Sequence, residues 1–170
     1  MVYVNRNFYC EGVDLFDESI KKSKKEKIHN KYKIGDSRKL NSLYKANSFD
    51  VAVIEHFKKR EALKLIKDIE RIARKRVIIM TPNGFYPQDS INGNPYQRHS
   101  SGWTDNEMKN LGYKVFGLRG YKYLRGDYAT IKFKPWVLWG ALSFMSEFLF
   151  FFFPKNSYHI FCIKDTEYEK

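Results

Sequence analysis

Glu11-Gly12-Val13-Asp14-Leu15-Phe16, Ile34-Gly35-Asp36, Ser48-Phe49-Asp50-Val51-Ala52-Val53-Ile54-Glu55-His56 and Val77-Ile78-Ile79-Met80-Thr81-Pro82-Asn83 follow one another in fixed order, each an apolar stretch that stops at a small, polar or acidic residue. Open parallel sheets present their carboxyl ends to ligands in this way, and an acidic side chain placed there accepts hydrogen bonds from ribose hydroxyls. Asp14 is the first candidate for that role.

The segments between these stretches alternate with them in character. Tyr9 to Val13 reads as a short buried strand, after which Asp17 is placed to cap a helix through Ser19, Ile20 and the cluster Lys21, Lys22, Lys24, Lys25 and Lys27. Tyr32 to Gly35 is the next strand, residues 36–47 read as a loop anchored by Leu40 and Leu43, and Phe49 to Val53 is a third strand. From Lys59, the spacing of Ala62, Leu65, Ile66, Ile69, Ile72 and Ala73 predicts an amphipathic helix. Val77 to Met80 has the uninterrupted apolar character of a strand buried on both faces. A long Gly-, Pro- and Asn-rich loop, 84–103, then precedes the capping box Thr104-Asp105-Asn106-Glu107. Strands are expected over Tyr113–Leu118 and Tyr158–Lys164, which makes an α/β sandwich with a mainly parallel sheet in a single domain spanning 1–170.

Composition sets wide bounds. The 170 residues suffice for one core, and a hydrophobic content of 43% excludes a disordered chain. Cys10 and Cys162 lack metal-type spacing and read as reduced thiols of a cytoplasmic protein. A net charge of +12 suits RNA or an anionic membrane surface, although lysines spread over helix faces are ordinarily just solvated. Trp136 to Phe153 is almost wholly apolar, with Gly140, Ser143, Ser146 and Glu147 forming a weakly polar stripe. That run fits a helix of the domain, a helix lying on a membrane, or a minimal span.

Taken together, strand-Gly-Val-Asp-Leu, Gly-Asp, Ser-Phe-Asp-Val with Ile-Glu-His, and a strand ending Thr-Pro-Asn resemble a class I S-adenosylmethionine-dependent methyltransferase of the methyltransferase-11 type, over about residues 10 to 120. Asn94-Pro95, Gln97, His99 and Ser101-Gly102-Trp103 continue the likeness. The resemblance implies a Rossmann-like sandwich, S-adenosylmethionine as cofactor, and methyl transfer to an unknown acceptor. It implies that Asp14 binds the ribose with Leu15 beside the adenine, and that Asp36 and Ser37 contact the adenine. It further implies that Glu55 and His56 lie near the transferred methyl group, with His56 and His99 as candidates for base or substrate contact.

The family's glycine-rich first strand and turn have no counterpart before Cys10, so the first strand and helix are expected to be missing, with 136–153 as an apolar helical insertion. A truncated or inactive copy is one form of this reading. A non-catalytic RNA- or partner-binding protein on the same fold is a second, and a membrane-peripheral methyltransferase a third.

Overall fold

The structure is a computed structural model that describes residues 9–54, 59–86 and 102–166. Glu11–Asp14 (β1) passes through helix Asp17–Lys25 (α1) to Lys31–Ile34 (β2), and the strands pair in parallel from Glu11 opposite Lys31 to Asp14 opposite Ile34. A second crossover takes Phe49–Ile54 (β3) through Lys59–Ile72 (α3) into Ala73–Pro82 (β4), again in parallel, with a register shift between Phe49 and Val51. Between the two units lie a 3-10 turn at Ser37–Lys39 and a one-turn helix, Leu40–Leu43 (α2), where a loop was expected. The anchor role of Leu40 holds, since it is buried in the core, with Leu43 packed against it.

The sheet is mixed, which corrects the expectation of a mainly parallel one. After helix Asp105–Asn110 (α4) come Lys114–Tyr121 (β5), Trp136–Phe152 (α5) and Ser157–Asp165 (β6), and the larger sheet has the order β3-β4-β6-β5. β6 enters beside the carboxyl end of β4, where Pro82 pairs His159 and the Asn83 amide donates to the Tyr158 carbonyl, so it must run back antiparallel to both neighbours. β1 and β2 form a separate two-stranded sheet, and no ladder joins it to β3 among the described residues. Side chains make the connection instead: Asn41 donates to Asp68, Arg71 donates to Asn41 and to the Tyr44 carbonyl, and the Tyr44 and Phe49 rings meet edge to face at 4.8 Å.

α3 carries the core. Its Leu65, Ile66, Ile69 and Ile72 bury against Val77, Ile79, Ile160, Cys162 and Met108. Each such aliphatic side chain contributes about 1.5 to 3 kcal/mol on leaving water. Val77 and Ile79 alone of the Val77–Met80 run are buried, while Ile78 is half-buried and Met80 exposed. β4 therefore has one well-covered face, not two. The Thr104 capping box forms as expected, with the Thr104 hydroxyl accepting from the Glu107 amide and the Glu107 carboxylate accepting from the Thr104 amide. Asp17 does not cap α1; it is the first helical residue and pairs with Lys21 at 2.6 Å. Both cysteines are free, Cys10 half-buried and Cys162 fully buried.

Two further contacts hold the carboxyl end of the sheet. Asn83, itself buried, donates its side-chain amide to the carbonyls of Pro154, Lys155 and Ser157 at 2.7 to 3.1 Å, which ties the end of β4 to the turn before β6. α5 lies along the outer edge of β5 with its weakly polar stripe turned inward. Arg119 and Gly120 both adopt positive φ, and at this kink the amides of Arg119 and Tyr121 point out of the sheet. Glu147 accepts from the first and Ser146 from the second, at 3.1 and 2.9 Å. The helix comes so near that a Cβ on Gly117 would strike the Phe150 carbonyl, and one on Gly120 the Ser143 carbonyl.

Gly117→Ala is accordingly expected to lower stability by about 2 kcal/mol, the usual cost of overpacking where backbone blocks relaxation. Gly140→Ala, on the same helix with only the Ile131 side chain at ordinary contact distance of 3.9 Å, should instead stabilise by about 0.5 to 1 kcal/mol. Urea denaturation of both variants checks the pair of signs.

Candidate functional site

Parallel pairing of β1 with β2 sets two acidic residues at neighbouring carboxyl ends. Asp14 is opposite Ile34, and Asp36 follows two residues later. The Gly35 amide donates to the Asp14 carbonyl at 3.0 Å, so the two strand ends are fastened together at the point where the candidate residues emerge.

Their side chains are differently engaged. Asp14 Oδ1 accepts from the Phe16 amide at 2.9 Å, an Asx turn that launches α1. Its other oxygen meets no hydrogen-bond partner among the described residues, and the residue is half-buried beside exposed Leu15. Asp14 thus forms a turn and still presents an acceptor. Asp36 caps the following 3-10 turn, and Arg38 holds it with its own amide, Nε and Nη2 at 2.8 to 3.0 Å. Those four contacts match the lone-pair capacity of a carboxylate. The Arg38 side chain keeps the Asp36 carboxyl below its ordinary range, and Glu61 stands 3.7 Å from Arg38 on the far side. Ser37, half-buried, is the first residue of that 3-10 turn.

Arg38 is the residue that sequence reasoning overlooked. An acidic cap with arginine two positions later is a local signal, and it changes what Asp36 is free to do. Arg38 occupies the acceptor sites of Asp36, whereas Asp14 keeps one carboxylate oxygen without a hydrogen-bond partner among the described residues. Glu55, His56 and His99 lie outside the described residues. The loop that carries His99 leaves and rejoins the fold at the carboxyl end of β4, where the Gly84 amide donates to the Trp103 carbonyl at 2.8 Å and Trp103 is buried in the core.

At the opposite end of β1, Glu11 has a structural task. Burial disfavours its charge, but the hydroxyls of Tyr44 and Tyr9 and the Lys31 ammonium outweigh this and leave the carboxyl below the ordinary glutamate range. A cleft of about 520 Å³ is lined by Glu70, Lys114, Lys164, Asp165 and their neighbours. It lies at the amino end of β4, where Arg76 pairs Asp165, away from Asp14 and Asp36. Its Glu70 and Lys164 pair with each other at 2.9 Å, and Tyr113 also donates to Glu70. No group of His, Cys, Asp and Glu able to hold a metal occurs among the described residues.

Because Glu11 titrates low in the folded chain, its contribution to stability is present above the unfolded glutamate value of about 4.3 and is lost as pH falls through the folded one. Tyr44→Phe removes a donor and should bring the Glu11 carboxyl back toward its ordinary range. In melts between pH 7 and pH 3, the variant is expected to start less stable and to lose less on acidification than the parent.

No family model matches the sequence, and no curated protein matches it. In shape the chain is similar to a SAM-dependent methyltransferase from Archaeoglobus fulgidus, with a TM-score of 0.54 at 15% identity over 91% of this chain and 75% of that one. It is also similar to a SAM-dependent methyltransferase from Methanosarcina mazei, with a TM-score of 0.53 at 13% identity over 94% and 82% of the two chains. At such identities the likeness shows the fold: a mixed α/β architecture resembling that of SAM-dependent methyltransferases.

Proposed function

We propose that this protein is an S-adenosylmethionine-dependent methyltransferase whose cofactor ribose is held by Asp14. The observation that carries the reading is an Asp14 carboxylate oxygen, without a hydrogen-bond partner among the described residues, at the carboxyl end of a parallel strand pair. The resemblance of the whole fold to SAM-dependent methyltransferases supports it. A carboxylate there, already oriented by the Phe16 amide, accepts from vicinal hydroxyls without rearranging. Exposed Leu15 offers an apolar surface next to it for a flat base. Asp36, saturated by Arg38, serves mainly to shape the 3-10 turn that follows β2.

When bound, the cofactor supplies an electrophilic methyl group, so the protein's share of the chemistry is chiefly positioning. Under this proposal the acceptor enters from the carboxyl end of β3 and β4, where the long loop returns to the fold at Trp103. His56 and His99 are proposed as acceptor-contacting groups on the strength of their sequence positions alone, and Glu55 and Ser37 as cofactor neighbours on the same ground.

Calorimetric titration with S-adenosylhomocysteine tests the assignment. The wild type is expected to bind, and Asp14→Asn, which keeps the turn acceptor but removes the charge, should weaken binding about tenfold or more with little change in melting temperature. Arg38→Ala frees Asp36 and should leave binding equal or tighter. A wild type that gives no heat of binding overturns the proposal.

A further inference from the structure

We propose that α5 seats this protein on an anionic lipid surface. The helix is inverted relative to one that packs its oily face on a core. Ser143 is 0% exposed and Gly140, Ser146 and Glu147 line the protein side, while Val137 is 86%, Phe144 75%, Met145 71% and Phe148 79% exposed on the other. The reason is the edge of β5: its two outward amides require acceptors, and its glycines require a close neighbour without bulk. With the polar residues consumed there, the outer face is left with no charged side chain at all, from Trp136 to Phe152.

The surroundings of that face identify its occupant. Lys122, Lys132 and Lys134 precede the helix and Lys155 follows it, and none of the four takes part in an ion pair among the described residues. Lys134 lies 5.0 Å over the ring of exposed Trp136, and exposed Tyr123 meets Tyr121, whose ring stacks on Phe150 of the helix. Amphipathic rings and lysines around an apolar face are what the headgroup zone of an anionic bilayer accommodates. A second copy of the chain fits less well. Both ends of the helix are basic and its outer face bears no acid, so either direction of helix pairing sets lysine against lysine.

The helix lies on the bilayer and does not cross it. Its 17 residues reach about 25 Å, short of the roughly 30 Å hydrocarbon layer, and no helix among the described residues is long and apolar enough to span. Glu147 and Ser146 also keep it fastened to β5. This inference does not depend on the catalytic reading.

Flotation of the full chain with phosphatidylcholine vesicles, with and without phosphatidylserine, tests it, alongside sedimentation of the protein alone. The wild type should float with the anionic vesicles and detach as salt rises. Lys132→Gln/Lys134→Gln/Lys155→Gln should lower the partition coefficient about a hundredfold, from about fivefold per lysine near such a surface. Phe144→Asp/Phe148→Asp should abolish flotation without lowering the melting temperature, since neither ring is packed in the core. The lysine variant keeps the test decisive if the phenylalanine variant fails to fold. Absence of wild-type flotation, or equal flotation of wild type and both variants, overturns the proposal. So does a wild-type dimer that the phenylalanine changes dissociate while neither protein floats.

Discussion

The contact between α5 and the edge of β5 is the constraint on which the outer half of this fold depends. An edge strand carries amides that must find acceptors, and β5 turns two of them outward through the positive-φ pair Arg119-Gly120. A neighbouring strand would satisfy such groups by main-chain pairing; here a helix does so with a serine hydroxyl and a glutamate. To reach them the helix backbone must come close, which excludes Cβ atoms at Gly117 and Gly120 and large side chains on the helix face that meets them. The stacked rings of Phe150 on Tyr121 and Phe151 on Phe116 then close the sides of the contact. Apart from these two rings, bulky apolar side chains such as Val137, Phe144, Met145 and Phe148 are displaced to the solvent side by a requirement that originates in the strand.

At the other end of the molecule, the β1–β2 pair shows how similar carboxylates acquire different duties. Glu11, Asp14 and Asp36 all belong to the same short parallel unit. Two tyrosines and a lysine surround Glu11, a single amide holds Asp14, and an arginine fills the whole coordination sphere of Asp36. Asp14, with the fewest partners of the three among the described residues, keeps an acceptor oxygen unused. No ladder joins this unit to the larger sheet among the described residues; Tyr44 links it onward, donating to Glu11 and meeting Phe49 edge to face, while Asn41, Asp68 and Arg71 tie α2 to α3.

Local signals in the sequence were readable because their causes are local. The spacing of Leu65, Ile66, Ile69 and Ile72 reports a helix face, and Thr104 with Glu107 reports a cap, whatever the rest of the chain does. The direction of β6 was not readable, since it follows from where α5 and the Pro154 turn deliver the chain, and that is settled by Asn83 reaching across more than 70 residues. The polar stripe of α5 was visible, yet its orientation was not: such stripes ordinarily face water, and only the unpaired amides of β5 turn this one inward. The neighbouring positions of Asp14 and Asp36 follow from strand order, which the sequence pattern does carry. The engagement of Asp36 by Arg38 spans only two residues, but an acidic residue at a strand end has the same sequence pattern whether it caps the next turn or faces a ligand.

The burial of Cys162 has a practical side. Its thiol stands midway along β6, opposite Ile79 of β4 and Val115 of β5, and burial pushes its pKa up to about 12. Cys10, half-buried at the start of β1, is the thiol that a reagent reaches first. The folded chain is thus built for a single label at residue 10. The far slower modification of residue 162 then acts as a clock, ticking once each time the seam between β4, β6 and β5 parts.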